Sequence, residues 1–464
     1  ASTAGLAAQG LTRLLYSVLV AASAGEQRLG TVNGAISLAM LAALLWPSAA
    51  GSAAAKFVAR ERGAGAPERV AAVVRLLRRR TALSAAVLAV AAGTAWTLPH
   101  FHGSAASAVP LALLVLSWSA YVFTRGVQLA VGRAHRAAAW DVLSAAGAVA
   151  ALSAVLGSGR EELLLLPLAG GYALYSAVNL PRAARVPVPA ALRREVDAFT
   201  ALATVGTLAS SGFLQLSMVL AATLPDRGQY AAALQLATPA TLLSQSLSLV
   251  LFPVMAEAHG RGDDAGLRRR TDTATRGLFV TMTSVFGVLV VLSGLAVDLA
   301  FPRGDYGRAA ALLPVLLVAV MSSTLAVAAV NSLTSRGTRG VALSAGCSLL
   351  GLLTGLLGWW VLVAGRGLGT AGVALGYLAG ALVVGYLPLA LVWRRERHAW
   401  GGLALRLLLW LVLAGGARLL AVRAGDGALV QLALAAAFAA AWALVCRREL
   451  AAVLRRRAPG GGPG

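Results

Sequence analysis

Charge is what this sequence has least of. Only 12% of its 464 residues are Asp, Glu, Lys or Arg, where a soluble domain carries about 25%. Just 18 are acidic. An ordinary water-soluble fold is excluded, and with it a separate soluble catalytic domain, for which no polar stretch is long enough. Cysteine occurs twice, which excludes a disulfide framework. Cys347 and Cys446 both lie in apolar runs and read as small hydrophobes facing neighbouring helices. Lysine occurs once, at Lys56, so 39 of the 40 basic residues are arginine. In a soluble protein the net charge of +22 would point to nucleic acid. Here the arginine accompanies an excess of Ala, Gly, Leu and Val, the codon habit of a GC-rich genome, and no nucleic-acid partner is expected.

What remains is apolar, with 58% hydrophobic residues and a mean hydropathy of +0.77. Runs broken by charge or turn clusters fall near 6–24, 30–50, 81–99, 109–131, 137–156, 162–180, 197–222, 229–254, 277–301, 309–332, 341–363, 370–392, 402–422 and 428–446. At about 20 residues per crossing, these fourteen runs predict an all-α polytopic membrane protein. The connections alternate in kind. With Arg13, Arg125 and Arg418 assigned to their nearer sides, the side of the amino terminus holds 32 of the Lys and Arg residues and the other side holds 8. Such a bias over short loops puts both termini in the cytoplasm. The first run is followed by thirteen more and reads as a span, not a removable signal peptide.

One pattern occurs twice. Leu45-Trp46-Pro47, a Gly-rich basic stretch and Leu76-Leu77-Arg78-Arg79-Arg80 join runs two and three. Leu251-Phe252-Pro253, the stretch His259 to Gly266 and Leu267-Arg268-Arg269-Arg270 join runs eight and nine. An offset of six runs implies two six-helix lobes of like orientation, related by a pseudo-two-fold along the membrane normal with a cavity between them. The expected division is 1–194 for the N-terminal lobe, 195–401 for the C-terminal lobe, 402–446 for two accessory helices and 447–464 for a basic cytoplasmic tail. Between Lys56 and Arg80, Pro67 and Glu68 suit a first helical turn and Arg78 to Arg80 a last one. This predicts an interfacial amphipathic helix on anionic lipid or, alternatively, charge that only fixes the topology.

At 100° per residue, Gln9, Arg13, Tyr16 and Ser23 share one face of the first span. Thr200, Thr204, Thr207, Ser211 and Gln215 share one face of the seventh. Thr238, Thr241, Gln245 and Ser248, with Gln235 beside them, share one face of the eighth, and the second offers Asn33, Ser37 and Ser48. Polar stripes are costly against lipid and should turn toward protein or water, either lining a cavity or bonding their own backbone. Arg13, about seven residues into its span, either serves that cavity or snorkels to the headgroups. Arg125 reads as an anchor at the inner end of the fourth span. Asp141, Asp197 and Asp298 are the only Asp residues at or within the spans, all near ends. A cation pump normally needs a carboxylate at depth, so the pattern favours an anionic or sugar-like cargo. No metal or cofactor is expected. His100 and His102 lack a third ligand, Asp263-Asp264 reads as a helix cap, and Gly365 to Gly369 reads as a tight turn.

The stretch Gly51 to Gly65, containing Lys56-Phe57-Val58-Ala59-Arg60, resembles flippases of the multidrug/oligosaccharidyl-lipid/polysaccharide exporter superfamily, in its polysaccharide-transporter branch. Gly228-Gln229-Tyr230, Leu251-Phe252-Pro253-Val254-Met255 and Gly304-Asp305-Tyr306 carry the same resemblance, which covers nearly the whole chain. It implies a transporter and not an enzyme, in a bacterial cytoplasmic membrane, with helices one, two, seven and eight lining the cavity. It further implies outward flipping of an undecaprenyl-linked oligosaccharide by alternating access. The diphosphate needs cationic donors, for which Arg13 and Arg28 are the candidates. Gln9, Asn33, Gln215, Gln235 and Gln245 complete the expected substrate-binding set. Membrane lipids and a glycosyltransferase or polymerase are the expected partners. A cation-coupled drug or metabolite exporter shares the architecture and would depend on one of the three end-of-span Asp residues. A membrane-embedded glycosyltransferase or polymerase would need more outer loop than the roughly ten residues near 98–108.

Overall fold

The computed structural model describes residues 2–101, 104–180, 187–447 and 449. Their regular structure is helical throughout. The elements are α1 (Ser2–Leu44), α2 (Pro47–Gly63), α3 (Pro67–Trp96), α4 (Ala105–Ala130), α5 (Ala134–Ser158), α6 (Leu166–Asn179), α7 (Ala190–Ala221) and α8 (Arg227–Gly260). There follow α9 (Asp264–Val291), α10 (Ser293–Ala300), α11 (Gly307–Leu325), α12 (Val327–Ser335), α13 (Thr338–Trp359), α14 (Gly369–Glu396), α15 (Gly401–Arg423) and α16 (Ala428–Val445). Each of the fourteen apolar runs is mainly helical. Eight helices are long and apolar enough to cross a membrane, or up to ten if each of two bent pairs is one span. Length and composition stop short of fourteen partly because α1 contains two runs and α6 has only 14 residues.

The chain divides into two compact units, Ala1–Gln235 and Leu236–Gly464. In the first, α1 is interrupted at Gly25, whose φ of 80° and ψ of 178° are essentially confined to glycine. Sixteen residues of straight helix would separate Ser17 from Asn33 by about 24 Å. Instead Ser17 donates to Asn33 Oδ1 at 3.2 Å, so the chain turns back at Gly25 and the two arms pack together. Pro47, lacking an N–H, opens α2 at its first turn, and the axis bends by 49° there.

The segment expected to lie on the lipid surface does something else. Pro67 and Glu68 do begin a helix, but α3 runs from there to Trp96 without a break. Val73, Val74 and Leu77 are buried with Phe57, Val58, Val127 and Val196 in one core. Protein neighbours satisfy this apolar stripe, so no lipid surface is needed to cover it.

The repeated pattern has a common stereochemistry. Gly65 (φ 66°) and Gly262 (φ 70°) both take the left-handed conformation in the turns preceding α3 and α9. After the second turn, Asp263 caps α9 by accepting from the Gly266 N–H at 2.7 Å, as its sequence position suggests.

In the second unit α9 is the common partner of α11, α15 and α16, while α13 packs along α14. Thr283 of α9 receives both indoles of the last two helices: Trp410 donates to its carbonyl at 2.6 Å and Trp442 to its hydroxyl at 2.9 Å. Gln431 of α16 ties α10 in by accepting from the Leu295 N–H at 2.9 Å. These two helices are therefore integral to the packing of their unit. Cys347 and Cys446 are buried free thiols. Outward-facing stripes such as Leu83, Val87 and Val90 on α3, or Leu405, Leu408 and Val412 on α15, are each more than half exposed, which a hydrocarbon surrounding requires.

Candidate functional site

The polar interior of the first unit is organised by one face of α1. Gln9, Arg13, Tyr16 and Ser17 follow helical spacing, and each meets a different partner. Gln9 donates to the Asp141 carbonyl at 3.2 Å, and the Tyr16 hydroxyl donates to the Leu164 carbonyl. Arg13 lies with its guanidinium 4.8 Å above the Trp118 ring, a cation–π contact, next to Tyr172. Its Nε is buried without a hydrogen-bond partner among the described residues. A buried N–H left without an acceptor costs free energy.

Around it sits an aromatic cluster with ring centroids 4.7 to 5.2 Å apart, made of Trp118, Tyr121, Tyr172 and Tyr175. Behind the cluster lies Asp141, fully buried. It accepts from the Tyr121 hydroxyl at 2.8 Å and from Arg125 Nε at 3.1 Å. By sequence alone Asp141 is an end-of-span acid and Arg125 an anchor at the inner end of its span. The structure makes them one internal ion pair. A signal was present: Trp118, Tyr121, Arg125 and Gln128 recur at intervals of 3, 4 and 3 along α4, as do Tyr172, Tyr175 and Asn179 at 3 and 4 along α6. Gln128 and Arg136 both bond Asn179, at 2.6 and 3.1 Å.

A second group lies further along α1. Asn33 accepts from Ser17 and from Gln235 Nε2, the latter at 2.5 Å, and donates to the Leu29 carbonyl at 3.0 Å. Asn33 and Gln235 are both buried. Ser17, Asn33 and Gln235 thus join the two arms of α1 to the start of α8.

The remaining expected residues are placed differently. Arg28 sits past the Gly25 turn, exposed, and pairs with Glu161 at 2.5 Å. It borders a cavity of about 360 Å³ lined also by Thr31, Trp96, Ser104 and Glu162. Arg13 lies twelve residues before Gly25, about 18 Å of helix, so the two arginines are not brought together. Gln215 is half-buried on α7, and the side chain of Gln245 lies outside the described residues, as does His102. On α7 the threonine stripe bonds its own backbone. Thr200, Thr204 and Thr207 donate to the carbonyls of Val196, Thr200 and Ala203 at 2.7 to 2.9 Å. Thr241 on α8 likewise bonds the Thr238 carbonyl at 2.7 Å.

The family described as "Lipid II flippase MurJ" matches residues 173–421, more than half of the sequence. The chain belongs to the MurJ lipid II flippase family. This family lies within the superfamily that the sequence resembles, and its members are transporters, not enzymes. Among curated proteins none matches. Solved structures share the fold. A lipid II flippase MurJ in an inward closed conformation superposes with a TM-score of 0.69 at 13% identity, covering 95% of this chain and 97% of that one. An inward-facing multidrug resistance MATE family transporter gives 0.62 at 16%, covering 84% and 94%. A MOP superfamily transporter from Pyrococcus furiosus gives 0.55 at 14%, covering 85% and 93%.

Proposed function

We propose that this chain moves an undecaprenyl-diphosphate-linked sugar intermediate of the lipid II class from the inner to the outer leaflet of the bacterial cytoplasmic membrane. The family match carries the reading. Arg13 adds a physical reason, since its unpaired Nε offers a diphosphate a charge-assisted bond in an aromatic, partly dehydrated setting. Gln9, Asn33, Gln215, Gln235 and Gln245 serve the sugars, and Arg28, beside the Gly25 turn of α1, meets the anion after translocation. Two lobes, 1–194 and 195–401, alternate access, with 402–446 completing the bundle and both termini in the cytoplasm. The equivalent glycine turns at Gly65 and Gly262 support that division. A glycosyltransferase or polymerase supplies or consumes the cargo.

Asp141 speaks against the cation-coupled exporter: it is fully buried, and Arg125 already balances its charge while Tyr121 donates to it, leaving no unpaired carboxylate there to exchange a cation. The test is flipping of a lipid II-type substrate in proteoliposomes by the native chain, Arg13→Ala and Gln215→Ala, at equal amounts of folded protein. Loss of a charged hydrogen bond is worth about 1.5–3 kcal/mol, so Arg13→Ala should slow flipping about 10- to 150-fold. A native chain that flips nothing but exports a small cation against a proton gradient would overturn the proposal.

A further inference from the structure

At the arginine-rich end of the second unit, beside the connection from α14 to α15, lies a recess of about 1030 Å³. Its charged lining is Arg268, Arg269, Arg270 and Arg276 of α9 and Arg397 of the connection, against Asp272 alone. The acid is already engaged, by Arg276 Nε at 2.9 Å and by the Trp400 indole at 2.7 Å. Arg268 and Arg276 also donate to the carbonyls of Arg397 and Ala399, both at 3.1 Å, and so hold the connection in place as one wall. Arg397 has φ 52°, at the end of a helix where glycine usually fills the left-handed position. The chain keeps a cation there despite that conformation.

Trp400 is the boundary of the recess. Its indole N–H reaches Asp272, while its ring lines a second cavity of about 190 Å³ together with Phe279, Leu325, Leu389, Trp393 and Leu403. That cavity is an apolar groove among α9, α11, α14 and α15. A strongly cationic recess joined at one side chain to an apolar groove matches an amphiphile with an anionic head and a hydrocarbon chain. Basic pockets between helices on the cytoplasmic side are where anionic headgroups bind.

We propose that this composite site holds one anionic glycerophospholipid, its phosphate among Arg268, Arg269 and Arg270 and an acyl chain along Trp393 and Trp400. None of these residues belongs to the polar interior of the first unit, so the site does not depend on the flippase reading.

The test uses the purified full chain in detergent, titrated with phosphatidylglycerol or phosphatidylcholine carrying brominated acyl chains, which quench nearby tryptophans. Phosphatidylglycerol should quench saturably and well below the concentration needed for phosphatidylcholine. Arg269→Gln with Arg270→Gln should weaken its binding about thirty-fold, two charges each contributing about 1 kcal/mol. The Arg269→Lys, Arg270→Lys pair should retain binding, which separates charge from misfolding. Ala404→Trp, filling the groove, should abolish the quench while circular dichroism stays native. Equal binding of the two lipids, or an unchanged affinity in the double Gln variant, would overturn the proposal. So would displacement of the lipid by millimolar inorganic phosphate, which would mark a free-anion site. Preferential capture of a lipid-linked diphosphate would make the recess a substrate site and equally refute it.

Discussion

Arg125 and Asp141 stand sixteen positions apart on different helices, and only packing joins them. Removing Arg125 strands a carboxylate with no exposure, a change that typically costs about 3–5 kcal/mol. Arg125→Ala should therefore lower the apparent unfolding midpoint in detergent far more than Arg125→Ala combined with Asp141→Ala. An equal drop in both would show that the pair contributes nothing as a pair. Arg13 should behave in the opposite way. Its Nε has no protein acceptor among the described residues and its guanidinium rests on Trp118, so Arg13→Ala should lower stability by no more than about 2 kcal/mol, the scale of a desolvated cation–π contact, while flipping falls. Arg13→Lys should restore little, because an ammonium lacks the planar donor fork. The polar face of α1 was readable from spacing alone. The ion pair was not, since burial of Asp141 is imposed by the packing of α5 against α4 and the distant α1, while its own run shows it only as an acid near an end.

Among elements, hydropathy located most helices, α2 lying largely in the expected connection after run two, and periodicity did not say what each polar stripe was for. The threonines of α7 have the spacing of a cavity lining, yet their hydroxyls are spent on the preceding turn. Thr204→Val should accordingly change flipping by less than about two-fold. A drop comparable to that of Arg13→Ala would restore the lining role. The basic stretch before run three has the pattern of a surface helix, yet it is the first turns of α3, because Phe57, Val127 and Val196 offer its apolar side a dry partner. The break between the first two runs was expected between 24 and 30, and Gly25 supplies it. At φ 80° and ψ 178° any side chain is strained by about 1–3 kcal/mol. Gly25→Ala should lower the unfolding midpoint correspondingly, while Gly206→Ala, in open space within α7, should not.

For the whole molecule, the arginine bias predicts an orientation that can be checked directly. Cys347 and Cys446 are buried, so single cysteines can be read against a quiet background. Ser158→Cys should react with an impermeant maleimide added outside intact cells, and His135→Cys only after permeabilisation; the reverse pattern would invert the topology. The family match begins at residue 173, beyond Arg13, Trp118, Arg125 and Asp141. Fold and family were therefore legible from hydropathy and a few loop residues, while the chemistry of the candidate site had to come from packing. The outward stripes on α3 and α15 carry a further consequence. In water, leucines and valines exposed to that extent would be adhesive surfaces, and no folded form of the chain could stay dispersed there. Its biogenesis must then be continuous with insertion: each segment has to pass from the ribosome to lipid before its neighbours exist to cover it. The packing of α15 and α16 onto Thr283 must be among the last events, completed within the bilayer.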